Sequence, residues 1–539
     1  MNRPWSISAL ITERAERWLG QPRMVAMLLV GYGVVWWALR LMVSPTYSLD
    51  EAEQLMFAQD LEMIYRFRHP PLITWLVWST QALFGLERLA FFGLKYLIMT
   101  LGALAFYGAA REFLSARPGS PTDAHLAGLA ALLPLITYQI GYYPHVDLMH
   151  TVLLIALLSA ALWRAGVLIR LGRPTDYLWL GVVLGFGLLS KYIFGVLIIG
   201  LAVAAWLTPV VRQRLTLRGL GVTLAALVAV ILPYAIATVI EGYSLVGLGR
   251  SVTAADAGAP LWTAWGPGTL SLIVASLLFP LPLWPIVLGL APWIAKPAPP
   301  SERPAGGRAG GCEQWDDGAR ARFLAAVMLT GTACLWLAVL GFGARSFKER
   351  WMHQGLLPLP IYLMLKARMM APDRARLTTL GRRLALLITI VLPLAFVGRI
   401  AHVHLETIEC GGCRLHLPIA ALADQLRATG FERGTILVDR HHIGGNLRIH
   451  FPDSRFLQAG YPMWVFPDDP RGGQCLLLWN ARSETPPVSM MAFIAENLAS
   501  APLPPPTTSG IIAAPMLGMF EHTHSERYKL YTSGVGDCR

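Results

Sequence analysis

Charge is what this sequence has little of. Only 14% of its 539 residues are Asp, Glu, Lys or Arg, whereas 55% are hydrophobic. A soluble chain of this size carries roughly a quarter charged residues. That shortage excludes a water-soluble globular enzyme, because so apolar a surface needs lipid to face. Familiar motifs are missing too. The chain has no Walker A loop, no Rossmann glycine fingerprint, no HExxH and no Ser-His-Asp ordering, so the chemistries those motifs carry have no foothold. Acidic residues number 33 against 45 basic ones, a net charge of +12. In a soluble protein that excess would suggest nucleic acid; in a membrane protein it reads as basic cytoplasmic loops instead.

What is present is a series of apolar runs, at about 24–43, 89–110, 125–143, 148–169, 177–190, 192–209, 219–240, 267–293, 322–342, 353–366 and 384–400. Each lies near the ~20 residues that span ~30 Å of hydrocarbon, although 177–190 and 353–366 are short. Residues 1–23 are polar and mixed in charge, and the run from Met24 to Val43 is long enough to remain a helix rather than a cleaved leader. The basic residues set the orientation. If the apolar stretch 70–86 dips into or lies along the outer leaflet without crossing, every other arginine-rich loop falls on the side of Arg3, Arg14, Arg17 and Arg23, as the positive-inside rule requires. Loops 44–88, 142–147, 241–266 and 343–352 then face outward together with the turn at residue 191 and all of 401–539. Three parts follow: a cytoplasmic segment 1–23, a transmembrane domain 24–400 and an outer C-terminal domain 401–539.

The outward loops hold the unusual polar residues. Asp50, Glu51 and Glu53 come directly after the first span, followed by His69-Pro70-Pro71-Leu72. Insertion does not need acids there. They form either a solvated loop or a general base at the membrane surface. Asp147, after His145, heads the next span and either caps that helix or joins a site. Lys191, between two apolar half-segments, either snorkels or meets an anion. Arg250 stands in a loop with Trp262 and Trp265. Arg345, Lys348 and Arg350 put three cations on the outer side against the insertion bias, and a lipid phosphate is a natural reason for them. Glycines Gly181, Gly185 and Gly187 have helix-packing spacing.

Read in order, these pieces resemble the GT-C superfamily of membrane glycosyltransferases, nearest to the branch of the lipid A aminoarabinose transferases and the protein O-mannosyltransferases. Leu49-Asp50-Glu51-Ala52 is similar to that family's catalytic Asp-Glu signature, and Pro70-Pro71-Leu72 with Trp75 and Leu83-Phe84-Gly85 to its next stretch. Asp147-Leu148 matches its second acidic position, Ser190-Lys191-Tyr192 its mid-hairpin lysine, and Arg250 with Pro260-Leu261-Trp262 its phosphate-holding arginine. Lys348-Glu349-Arg350-Trp351 matches its late basic loop. The aminoarabinose branch commonly has lysine where this chain has His69, which would make a phosphate contact there pH-dependent.

The resemblance implies a polytopic α-helical protein of about 11–13 transmembrane helices in a bacterial inner membrane, with a small periplasmic α/β domain. It implies inverting transfer of a sugar from a polyprenyl-phosphate donor to a lipid, glycan or protein acceptor. Asp50, Glu51 and Asp147 would be catalytic; His69, Lys191, Arg250, Lys348 and Arg350 would hold the phosphate. Cations so placed make a divalent metal optional, and no cofactor is implied. A nucleotide-sugar donor does not fit, because the polar site faces the wrong compartment. A transporter or flippase of a lipid-linked sugar would want mid-membrane polar residues and repeated halves. Here the charges gather at one face and no repeat is visible, which favours an enzyme.

In 401–539, helix-like stretches Leu415–Thr429 and Val488–Leu498 alternate with strand-like Thr435–Val438 and Cys475–Trp479, which predicts the α/β domain. His441-His442 and Gly444-Gly445 read as a helix start. Cys410, Cys413, Cys475 and Cys538 suit two disulfides in an oxidising compartment; Cys410 and Cys413 with nearby histidines suit zinc less well. The orientation is open to direct test with single cysteines and an impermeant thiol reagent in intact cells. Positions 117, 214 and 308 should stay unlabelled while 50, 250 and 420 react. Labelling at 214 but not at 250 would break the topology.

Overall fold

The computed structural model describes residues 18–65, 69–114, 121–243, 260–284, 315–371, 374–407, 413–459, 473–498 and 503–532. Arg250, Cys410 and Cys538 lie outside these residues. Among the described residues seven helices are long and apolar enough to cross a membrane: Pro22–Val43, Arg88–Leu114, His150–Leu171, Leu217–Ile240, Leu261–Leu278, Asp317–Phe342 and Arg376–Leu405. An eighth crossing exists if Ala124–Ile136 and Tyr138–Val146, bent by 76° at their junction, act as one. The number is lower than the 11–13 expected, for reasons visible in the helices. Pro174–Ser190 has 17 residues and Tyr192–Leu207 is also short. The run at 353–366 is divided by Pro358, so that only the 12 residues Leu359–Met370 form its main helix. Apolar length alone counts such half-spans as whole ones. The 70–86 stretch becomes Leu72–Phe84, 13 residues long and too short to cross.

The chain divides into two compact units, residues 1–35, 97–145 and 151–396, and residues 36–96, 146–150 and 397–539. The first is helical. Val25, Leu29, Phe113, Leu126, Leu158, Phe323 and Leu365 are buried in its core. Its outer faces remain apolar: Leu217 is 88% exposed, Val239 75% and Leu329 71%. A helix apolar on every side is stable where lipid covers what protein does not. Close packing inside uses the expected glycines. A Cβ on Gly181 would run into the Thr223 carbonyl, and one on Gly185 would lie 2.7 Å from Val230 Cβ, so the Pro174–Ser190 and Leu217–Ile240 helices meet at backbone distance. Gly187 gives the same room to the Phe194 ring.

The second unit contains a five-stranded sheet in the order β2-β1-β3-β5-β4. Strands β1 (Gly434–Val438), β2 (Arg455–Gln458) and β3 (Gln474–Asn480) run parallel. The hairpin of β4 (Thr508–Met516) and β5 (Met519–Tyr531) adds antiparallel to β3. Strand periodicity sorts β1 onto two faces. Ile436 and Val438 join Leu422, Leu426, Ile443 and Leu447 from the Ile419–Ala428 and His441–Leu447 helices. Leu437 joins Leu477, Met490 and Ile494 on the side of the Val488–Asn497 helix. With both faces covered, β1 reads as an unbroken apolar run. Cys413 and Cys475 are each engaged in a disulfide, which removes the Cys413 thiolate from any zinc set, and His416 is taken by the carbonyls of Leu517 (2.8 Å) and Val403 (3.0 Å).

The glycine contacts predict opposite effects of two small substitutions. Gly181→Val forces the Leu217–Ile240 helix away and should cost about 1–3 kcal/mol, seen as a lower midpoint in detergent thermal unfolding. Gly31→Ala, on a helix face with nothing within 4 Å, should be neutral or stabilising by up to about 1 kcal/mol. Equal midpoints for the two variants would refute the packing role.

Candidate active site

The site grows from a helix start. Ser48 is extended (φ −73°, ψ −179°) and the chain then turns into the nine-residue helix Leu49–Phe57. Glu51, third in that helix, reaches back so that its Oε2 accepts the Ser48 N–H at 2.8 Å, one half of a capping box. The same carboxylate is fully buried between two cations, with Arg40 Nη2 at 2.7 Å on Oε2 and Lys95 Nζ at 2.7 Å on Oε1. Burial alone would raise the Glu51 carboxyl, but the charges of Arg40 and Lys95 overcome it and hold it well below the usual carboxylate range. Arg40 also donates to the Thr46 carbonyl (2.7 Å), and its guanidinium lies 4.1 Å from the Phe92 ring centroid. Arg88 donates to the Ser44 carbonyl at 2.6 Å.

Asp147 stands at the start of the same helix. Its Oδ1 accepts the Ser48 hydroxyl (2.8 Å) and the Asp50 backbone N–H (2.9 Å). The sequence leaves open whether Asp147 caps the span that follows it or joins a site; its carboxylate meets the start of the Leu49–Phe57 helix. The turn that allows this is unusual, since Leu148, buried and not glycine, has φ +71°. Such backbone costs on the order of 1–3 kcal/mol and persists where neighbours enforce it. Here Lys95 Nζ holds the Asp147 carbonyl at 3.2 Å. Burial, and then the charges of Asp50 and Glu51, push the Asp147 carboxyl above the usual range. Asp50 itself is partly buried, and among the described residues its carboxylate accepts no hydrogen bond.

Further polar side chains pack alongside. Gln54 Nε2 meets His150 Nε2 at 2.9 Å and Gln54 Oε1 accepts the Thr74 hydroxyl at 2.8 Å. Glu53 lies 3.8 Å from His150, and the His69 ring stacks on His150 at 4.6 Å. The far end of the Leu49–Phe57 helix is tied down by Arg448, which donates to the carbonyls of Leu55 and Ala58. Gly445 lets the His441–Leu447 helix approach closely, for a Cβ there would meet the Ala52 carbonyl. Burial pushes His442 down to about 4, so it stays neutral and its Nε2–H donates to the Tyr47 carbonyl at 3.0 Å.

Of the residues singled out in the sequence, Asp50, Glu51, Asp147 and His69 therefore share one unit. Lys191, Lys348 and Arg350 belong to the other. There Lys191 Nζ donates to Thr151 Oγ1 at 2.8 Å, where the Pro174–Ser190 helix ends in extended backbone. Arg350 points to the Tyr143 hydroxyl at 3.4 Å, and Lys348 is exposed. Among the described residues no group of three or more His, Cys, Asp or Glu is placed to hold a metal. The sequence reading passed over Arg40, Lys95, Ser48 and His150. The first two had a signal: each is a charge inside an apolar run, and an ionisable residue in a span is a functional candidate by default. Ser48 had the Ser-x-x-Glu spacing of a capping box.

The geometry has counterparts among known proteins. A family model of dolichyl-phosphate-mannose-protein mannosyltransferases matches residues 68–237. Two Rhizobium johnstonii proteins, the lipopolysaccharide core galacturonosyltransferases RgtB and RgtA, are 29% and 27% identical, over 88% and 91% of this chain and 91% and 92% of theirs. The fold is that of ArnT from Cupriavidus metallidurans, solved bound to undecaprenyl phosphate, at a TM-score of 0.53 and 13% identity over 93% of this chain and 97% of that one. Helical fold, matching domain and similar enzymes agree: this chain is a membrane glycosyltransferase that resembles the GT-C enzymes.

Proposed function

We propose that the enzyme transfers a sugar, with inversion, from a polyprenyl-phosphate donor to a saccharide of the lipopolysaccharide core, at the periplasmic face of the inner membrane. The observation that carries this reading is the Asp50–Asp147 pair at the start of the Leu49–Phe57 helix, beside the buried Glu51, Arg40 and Lys95. The similar lipopolysaccharide core galacturonosyltransferases support the acceptor class and an acidic sugar. The lipid of the ArnT structure suggests the donor's carrier. Loop-by-loop basic bias and the disulfide-bonded Cys413 and Cys475 fit an outward, oxidising location.

Asp50 is the general base. It takes the proton of an acceptor hydroxyl as that oxygen attacks the anomeric carbon and the bond from that carbon to the phosphate oxygen breaks. The electron pair leaves with the polyprenyl phosphate. Asp147 positions Asp50 by accepting its backbone N–H. Glu51 is a positioning residue that keeps Arg40 and Lys95 in place. His69, Lys191, Arg250, Lys348 and Arg350 are the proposed partners of the phosphate, whose growing charge they would stabilise.

Two substitutions separate these roles. Asp50→Asn should lose about 10²–10⁴-fold in turnover at normal protein level and thermal midpoint. Glu51→Gln leaves two buried cations short of charge, which should cost about 3–5 kcal/mol, so its loss should appear first as poor yield and a low midpoint. A fully active Asp50→Asn enzyme would remove the base assignment.

The pH profile of kcat/KM tests the carboxylate pair. Burial and acidic neighbours hold the Asp147 carboxyl above the ~3.9 of an ordinary aspartate, so activity should fall as pH falls and Asp147, which holds the Ser48 hydroxyl and the Asp50 N–H, takes up its proton. Asp147→Asn keeps an oxygen for both donors but removes that titrating group. Its residual activity should therefore show the acid limb displaced to lower pH. A limb unmoved by that change would mean the two acids are uncoupled.

A further inference from the structure

The second unit holds a cavity of about 720 Å³ that the transfer chemistry does not use. Its wall includes Leu49, Arg414, Arg440, His441, Arg482 and His524. Volumes of ~300–1,000 Å³ are typical of small-molecule sites, but this one is not apolar. Three guanidinium groups and several imidazoles line it, and among the described residues no Asp or Glu does. The acids stand behind the wall. Glu526, fully buried, accepts from Arg440 and from His524 (2.7 Å), and Asp439 takes Arg440 Nε at 3.1 Å. Those contacts fix the orientation of Arg440 and His524. Arg414 and Arg482 are exposed, and no ion pair to either is found among the described residues. Gln458 also lines the cavity. Its amide donates to the Asp439 carbonyl at 2.9 Å, and its buried Oε1 has no partner among the described residues. An arginine fork suits carboxylate or phosphate, and an idle amide oxygen suits a sugar hydroxyl. Leu49 connects the cavity to the chemistry, since it immediately precedes Asp50.

We propose that this cavity is the acceptor subsite and takes an acidic saccharide, one bearing phosphate or carboxylate groups, which Arg414 and Arg482 bind by charge while a neighbouring hydroxyl is offered to Asp50. The proposal rests on the assignment of Asp50 above. Arginines here select the acceptor and leave the bond-making step alone.

The test uses the full-length protein in nanodiscs, lipopolysaccharide as acceptor and a polyprenyl-phosphate sugar as donor. For the double variant Arg414→Gln, Arg482→Gln the acceptor KM should rise about ten-fold or more, in keeping with two lost charge-assisted contacts. The donor KM, and kcat at saturating acceptor, should stay near wild type. A separate binding arm uses deacylated lipopolysaccharide saccharide, native and enzymatically dephosphorylated, followed by calorimetry. Weaker binding after dephosphorylation identifies phosphate as the group held; equal binding of both, lost in the double variant, identifies carboxylate. An unchanged acceptor KM in the double variant, with normal transfer by the wild type, overturns the subsite and leaves the transferase reading standing. If the wild type transfers nothing from the polyprenyl donor, that reading falls, and arginine-dependent saccharide binding still upholds the cavity. Binding that ignores both arginines overturns it.

Discussion

The second unit depends on one buried carboxylate shared by two cations. Arg40 and Lys95 come from different helices, Pro22–Val43 and Arg88–Leu114, and both are essentially inaccessible to water. Stripping water from two cations is expensive, and a single carboxylate does not neutralise both. The remainder is met by backbone oxygens: Thr46 and Ser44 for Arg40, and Asp147 for Lys95. Those carbonyls belong to the segments that carry Ser48, Asp50 and Asp147. Satisfying the cations therefore fixes the course of the chain through the site. The Asp-Glu signature then divides its labour by direction, Glu51 turned inward to the cations and Asp50 left partly exposed.

Rigidity spreads from that cluster along the Leu49–Phe57 helix. Nine residues are too few to hold a helix by propensity alone, so its ends must be tied. Asp147 and Glu51 satisfy donors at the start, where a negative charge also suits the helix dipole. Arg448 satisfies carbonyls at the finish, where a positive charge suits it. Asn446 clamps the entry, accepting from the Tyr47 N–H at 2.7 Å and donating to its carbonyl at 3.1 Å. Much of the fixing thus comes from the His441–Leu447 helix, some 400 residues along the chain, and that contact forces glycine at 445.

Sequence reasoning reached the acids and missed what holds them. Asp50, Glu51 and Asp147 are legible because acids at span ends are conspicuous and because their order matches a family. Arg40 and Lys95 were absorbed into the apolar runs around them, although a charge there is the more informative sign. No local pattern separates the inward Glu51 from the outward Asp50; that depends on which side the cations approach. Of the parallel strands in the C-terminal domain, β1 and β3 were visible as apolar runs and the four-residue β2 was not. The β4–β5 hairpin was not, since β5 mixes Glu521, His522, Glu526, Arg527 and Lys529 with its apolar residues and hydrophobicity alone passes over it. Hydropathy likewise measures apolar length and is blind to a break such as the one at Thr137.

The position of Asp147 also bears on how the proposed base would avoid collapsing into a simple ion pair. Two acids near three cations, Arg40, Lys95 and Arg88, would be expected to lose their protons readily. Lys95 and Arg40, however, are spent on Glu51, and Arg88 on the Ser44 carbonyl. The Asp147 side chain receives only neutral donors, a hydroxyl and a backbone amide, both on the same oxygen. Burial and the neighbouring negative charges then outweigh that help, and its proton affinity rises. The cations organise the backbone, the buried glutamate absorbs their charge, and Asp147 keeps its raised proton affinity. Had Arg40 and Lys95 reached the aspartates directly, the same residues would have made a stable but chemically inert salt bridge.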